Sequence, residues 1–164
     1  MLITSTDNIF VAGHNGMLGK AIVNNLIFNN YRNLFFSERS KLNLFDFSQI
    51  KNYLSKNRID VVVLAAAKVG GIRANLTYPT EYLLENLKIQ NNVIEASWQT
   101  GVRRLLFIGS SCIYPKFSKQ PIREEELLSG YLESSLEPYA LAKISGIKLC
   151  EALRKQYGFD AISL

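Results

Sequence analysis

Short apolar runs alternate with stretches whose apolar residues recur every three or four positions. The alternation continues from one end of the chain to the other. Residues 8–12 (NIFVA) and 61–64 (VVVL) are apolar at nearly every position, as in strands covered on both faces of a parallel sheet. Residues 34–36, 105–108 and 159–164 predict three further short strands. Leu18, Ile22 and Leu26 set a helix over 17–28, which Asn29 and Asn30 close, and Ile50 and Leu54 set another over 47–57. A long helix is predicted over 79–100. Its apolar residues (Tyr82, Leu83, Leu87, Val93, Ile94, Trp98) exceed one stripe, which implies burial on two sides, one against the sheet and one against a partner. Gly101 stops that helix, and Gly158 stops a last one over 139–157. Residues 109–138 carry three of the four prolines, and a loop of that length inside a compact fold is usually functional. Repeated strand-helix-strand units predict an α/β fold with a doubly wound parallel sheet and right-handed crossovers. Ligands of such sheets sit at the carboxyl ends of the strands, where Gly13, Phe36, Ala65 and Gly109 fall.

The composition narrows the class. With 164 residues, 48% of them hydrophobic, residues 1–164 make one domain with a real core. The 19 basic and 14 acidic residues give a net charge of +5, but the basic residues are scattered, and Arg103-Arg104 is their densest pair. No run resembles an arm for nucleic acid. Cys112 and Cys150 form no C-x-x-C pair, and His14 is the single histidine, so neither a disulfide framework nor a metal site is expected. The start, MLITSTDN, lacks the pattern of a signal peptide, and the longest apolar run, 61–67, is far too short for a bilayer. The expected setting is a reducing cytoplasm, with no membrane partner.

The stretch VAGHNGMLGKA, residues 11–21, joins the first strand to the first helix. A phosphate loop of the NTPase kind needs four residues between its first glycine and Gly-Lys, then Ser or Thr for magnesium. Here five residues separate Gly13 from Gly19, and Ala21 follows Lys20, so that reading fails. A dinucleotide loop fits. Gly13 makes the tight turn, Gly16 lets the backbone approach a pyrophosphate, and Gly19 lets the helix pack closely. The pyrophosphate then lies at the helix N-terminus near His14, Asn15, Met17 and Leu18. This makes the sheet Rossmann-type. At the end of the second strand, Ser37 and Arg39 suit the 2′-phosphate of NADP, whereas Glu38 suits the ribose hydroxyl of NAD. NADP is the cofactor expected. Asp46 is a candidate acceptor for the adenine amino group, or else a helix-capping carboxylate.

Tyr139 and Lys143 lie four apart at the start of a helix and share one face. Ser110 follows the fourth strand, whose end faces the same crevice. A tyrosine whose pKa is lowered by a neighbouring ammonium and a nicotinamide ribose can exchange a proton with a carbonyl oxygen during hydride transfer, with a serine orienting that carbonyl. Cys112, two residues after Ser110, is either a base on an acidic C–H or a small buried residue. Cys150, three turns after Tyr139 on the same face, is read as core.

FVAGHNGMLGKAI (10–22), LAAAKVGGIRAN (64–75), GSSCIYPK (109–116) and EPYALAKISGIKLCE (137–151) together resemble the extended short-chain dehydrogenase/reductase family. The resemblance is strongest to its NADP-dependent epimerase-reductases of GDP-4-keto-6-deoxy sugars. It implies a catalytic set of Ser110, Tyr139 and Lys143, with Cys112 as the epimerisation base. It also implies a cofactor site of Gly13, His14, Asn15, Gly16, Met17, Leu18, Gly19, Arg39, Asp46, Ala65, Ala66 and Ala67 together with Tyr139 and Lys143. Asn15 departs from the family, where a second arginine is frequent. The implied reaction removes the protons at C3 and C5 of the keto sugar, returns one to the opposite face of each carbon, and then reduces C4, with Tyr139 protonating the oxygen. A homodimer through helices 79–100 and 139–157 is also implied. The family's chain runs on past Leu164 into the last strands of the sheet and a substrate domain that carries the partner acid. The expectation is therefore an N-terminal half with an unpaired sheet edge. A related sugar-nucleotide epimerase or dehydratase, and a non-catalytic dinucleotide-binding module, remain as alternatives.

Overall fold

The computed structural model describes residues 3–164; positions 1 and 2 of the expected domain lie outside the described residues. Strands β1 (Ile9–Ala12), β2 (Leu34–Phe35), β3 (Val61–Leu64), β4 (Arg104–Phe107) and β5 (Asp160–Ser163) form one sheet in the order β2-β1-β3-β4-β5. Every neighbouring pair is parallel. The helices are α1 (Met17–Phe28), α2 (Phe47–Lys56), α3 (Ile72–Thr77), α4 (Pro79–Gln99) and α5 (Glu137–Tyr157). Chain order reverses at β1, whose neighbours are β2 on one side and β3 on the other. The carboxyl end of β1 is therefore the switch point at which such sheets hold ligands.

The alternation of side chains along each strand divides the core in two. Phe10, Ala12, Val62, Leu64, Leu105 and Phe107 face α2, α4 and α5 and form the larger cluster with Ile50, Leu54, Val93, Ile94 and Cys150. Ile9, Val11, Val61 and Val63 point the other way, onto Ile22, Val23 and Leu26 of α1. Each fully buried side chain of this size stabilises the fold by about 1.5–3 kcal/mol relative to exposure. The α1 face thins toward the far edge. On β4 and β5, Arg104 pairs with Asp160 at 2.7 Å, while Leu106 and Ile162 stay half-buried in adjacent register.

Local chemistry fixes the helix ends. Asp46 precedes α2 and accepts from the Gln49 amide at 3.0 Å and from its Nε2 at 2.9 Å, and Gln49 Oε1 accepts in turn from the Asn43 amide. Asp46 is thus a side-chain N-cap while Gln49 ties the preceding loop, and losing such a cap costs about 1 kcal/mol. α5 begins at Glu137 rather than Tyr139, because Pro138 fits the first turn, where its missing N–H has no partner to lose. Gly158 ends it in the left-handed conformation, φ 69°.

Two features depart from the sequence pattern. The short helix α3 follows Gly71 within a stretch whose periodicity is too brief to announce it. α4 buries Tyr82, Asn86, Gln90, Val93, Ile94 and Ser97, so the first half of its inward stripe is largely polar. Leu84 faces outward and is exposed. The buried amides have work there. Asn86 accepts from the Lys68 amide at 2.8 Å and donates to the Lys68 carbonyl at 3.0 Å, and Gln90 donates to the Ala142 carbonyl of α5 at 2.6 Å.

Candidate active site

A cleft of about 800 Å³ opens at the carboxyl ends of β1, β2 and β3. Its walls include Gly13, His14, Asn15, Gly16, Met17, Leu18, Gly19, Arg39, Ala65, Ala66, Ala67, Tyr139 and Lys143, which the sequence places far apart. The loop after β1 explains its own glycines. Gly13 adopts φ +90°, and a Cβ there would lie 2.6 Å from the Ala66 nitrogen. A Cβ on Gly19 would fall on the Gly13 carbonyl oxygen. Gly16 differs: its Cβ would meet only the Gly13 oxygen, at an ordinary 3.4 Å. Packing within the chain thus accounts for Gly13 and Gly19, whereas Gly16 keeps open a space in the cleft. α1 starts at this point with no side chain capping it and no acidic residue in its first turn. Its free N–H groups and positive dipole end favour a negative group. The residues present therefore fit a pyrophosphate.

Asp46 does not join this wall. Both of its oxygens serve Gln49, and Asn43, Leu44 and Phe45 line the cleft in its place. The capping role is the one the structure gives it. Leu18, one of the residues that set the first helix, is 43% exposed and lines the cleft. Sequence reasoning also missed Lys68 and Glu85, which line the cleft as an ion pair at 2.8 Å. A cation directly after three alanines at a strand end was the available signal. The Glu85 carboxylate raises the Lys68 pKa above the ordinary lysine value.

At the far end of the cleft, the first turn of α5 meets the segment after β4. Lys143 is 3% exposed. Its ammonium donates to the Ile108 carbonyl at 2.8 Å and lies over the rings of Phe107 and Tyr139, 4.8 and 5.9 Å from their centroids. Ser110 and Cys112 stand beside the cleft rather than in its wall. Ser110 borders an adjoining cavity of about 550 Å³ that meets the cleft at Gly109. The Ser110 Oγ and Cys112 Sγ are 3.1 Å apart, and Ser110 caps the short 3-10 turn over 111–113. Cys150 is buried in the core, as read from the sequence.

Within the chain itself the Tyr139 phenol shifts upward, whereas the lowering expected from the sequence counted a nicotinamide ribose beside the ammonium. Burial pushes the Tyr139 phenol up, Cys112 adds to the shift, and a hydrogen bond with Ser110 opposes it. The Lys143 ammonium is directed to Ile108 and lies over the tyrosine ring rather than its hydroxyl, so it does not pull the phenol down. Burial likewise raises the Cys112 thiol, against Ser110 and Lys143, which lower it. Tyr139 is therefore held protonated at neutral pH, the state a proton donor needs.

Burial also drives Lys143 down, from 10.5 to about 8, against a smaller upward pull from Cys112. Between those values the unfolded chain binds more proton at this residue than the native one does. Its contribution to stability therefore rises with pH across that window and is least favourable below it. At pH 7 the cost is about 3 kcal/mol. Lys143→Met is expected to leave the melting temperature at pH 7 unchanged or higher, with the gain shrinking as pH rises toward 10. Paired thermal melts of the variant and the native chain read this residue together with its coupling to Cys112. A variant clearly less stable at pH 7 would show that the bond to Ile108 outweighs the burial cost.

Among the described residues, no helix is long and apolar enough to cross a membrane. The model of the NAD dependent epimerase/dehydratase family matches residues 9–164. A GDP-L-fucose synthase of Escherichia coli (strain K12) is 51% identical over 156 residues, which are 95% of this chain and 49% of that relative. GDP-L-fucose synthase 1 of Arabidopsis thaliana is 51% identical over 94% of this chain and 48% of its own length. Among solved structures, a GDP-mannoheptose C4 reductase from Campylobacter jejuni with NADP bound superposes with a TM-score of 0.94 at 35% identity, covering 98% of this chain and 51% of that one. The chain spans about half the length of the curated relatives it matches. The glycine loop at the switch point, the tyrosine and lysine one helical turn apart, and a family match reaching from β1 to the last residue agree: this chain belongs to the NAD dependent epimerase/dehydratase family.

Proposed function

We propose that the chain is the cofactor-binding and catalytic part of a cytoplasmic, NADP-dependent GDP-L-fucose synthase, an epimerase-reductase acting on GDP-4-keto-6-deoxy-D-mannose. One observation carries the reading. A glycine-loop cleft runs to Tyr139 and Lys143 at its far end, with Ser110 and Cys112 beside it. The relatives at about 51% identity that are named for this activity support the choice of substrate. Gly13, Gly16 and the uncapped start of α1 hold the pyrophosphate, and Arg39 meets the 2′-phosphate. Bound there, NADPH supplies the hydride for the C4 carbonyl. Tyr139 gives its proton to the C4 oxygen, while Ser110 orients that oxygen and Lys143 holds the phenol in place. Before the hydride arrives, Cys112 removes the protons that the keto group acidifies at C3 and C5, and an acid from the remaining half of the relatives' length returns one to the opposite face of each carbon.

The remaining half of the relatives' length supplies the surface for the GDP portion of the substrate, and α4 and α5 pack on a second copy. Leu84 and Leu141, exposed on those two helices, support that dimer surface. Calorimetric titration of the chain with NADPH tests the cofactor reading. Saturable binding of one equivalent is expected. A chain that is folded by circular dichroism yet shows no binding would end it.

A further inference from the structure

We propose that Glu38 limits how strongly this chain prefers NADPH to NADH, so that the cleft accepts both. The inference rests on the dinucleotide reading of the cleft. Ser37, Glu38 and Arg39 leave β2 together and line the same wall. Glu38 is not a loose surface carboxylate. Asn15 Nδ2 donates to its two oxygens at 3.2 and 3.3 Å, and His14 Nε2 lies 3.8 Å from Oε1. His14 is itself fixed by stacking on Phe36, with ring centroids 5.0 Å apart. The phosphate loop thus holds a negative charge beside Arg39, whose guanidinium lies 5.7 Å from the centre of the Phe45 ring.

The two neighbouring side chains ask for opposite ligands. A carboxylate accepts hydrogen bonds from ribose hydroxyls and repels a 2′-phosphate, whereas a guanidinium does the reverse. Asn15 adds no positive charge, and its amide is already committed to Glu38. The charge facing the 2′ position is therefore close to balanced.

The test is calorimetry of the chain with NADPH and with NADH at one ionic strength. The native affinities are expected to lie within about tenfold of each other, and Glu38→Gln is expected to raise the NADPH-to-NADH affinity ratio by roughly fivefold or more. The change should come from tighter NADPH and weaker NADH. Arg39→Ala should move the ratio the other way. Glutamine keeps the size of the side chain at an exposed position, so the fold is not at stake. If Glu38→Gln weakens both cofactors equally, or leaves the ratio unchanged, the carboxylate serves only to tie the loop and the proposal falls. A native preference for NADPH above a hundredfold would also overturn it. If a folded native chain binds neither cofactor, the dinucleotide reading itself fails.

Discussion

Gly19→Ala is expected to abolish NADPH binding and to lower the melting temperature by roughly 10 °C, the equivalent of about 3 kcal/mol in a domain of this size. The added methyl would fall on the Gly13 carbonyl oxygen and within 2.8 Å of the Gly13 carbonyl carbon and the His14 Cα. All three are backbone atoms, so no side chain can swing aside and the turn itself must move. That turn is already constrained, because Gly13 sits at φ +90° against Ala65 and Ala66. Gly16→Ala is the informative partner. Its methyl meets nothing closer than 3.4 Å, so the melting temperature should stay within a degree or two. The methyl nonetheless occupies the space kept for the pyrophosphate, and affinity should fall by about tenfold or more. Calorimetry and thermal melts on both variants separate the two roles. Normal NADPH affinity in Gly16→Ala would remove the case for a pyrophosphate at this loop.

Tyr139→Phe is expected to slow hydride transfer by about 10³-fold while NADPH affinity stays within roughly twofold. Turnover would be measured after fusing the chain to the C-terminal half of the Escherichia coli relative. Burial and Cys112 keep the phenol protonated, and phenylalanine preserves the ring over which the Lys143 ammonium lies. The variant thus removes one proton donor and little else. Cys112→Ser should have the complementary effect. Incorporation of solvent deuterium at C3 and C5 should fall more than hydride transfer does. Equal loss of both rates in a folded Cys112→Ser protein would refute the division of labour between Cys112 and Tyr139.

The strands were legible because apolar runs such as 61–64 have few other uses, and their alternation set both faces of the sheet. The glycine loop was legible through spacing alone. Three points were not. Asp46 satisfied both a cofactor pattern and a capping pattern, and its bonds to Gln49 show the capping one. The burial of α4 was read from its apolar residues alone, which did not foresee Asn86 and Gln90 on the inward face, where loop 65–71 and α5 offer backbone groups that need partners. The expected lowering of the Tyr139 pKa combined Lys143 with a bound nicotinamide ribose, whereas the chain's own contribution is set by burial and by where the ammonium points.

β2 has only two residues, and they pair with β1 alone, Ile9 opposite Leu34 and Phe10 opposite Phe35. Ser37, Glu38 and Arg39 hang directly from it. A strand this short at a sheet edge opens by local fluctuation, without waiting for global unfolding. Amide hydrogens there should exchange on a faster clock than those of β1 and β3. The adenosine end of the site is therefore its adjustable end. Cofactor binding, as proposed, is expected to quiet that edge and to register as slowed exchange at residues 34–39.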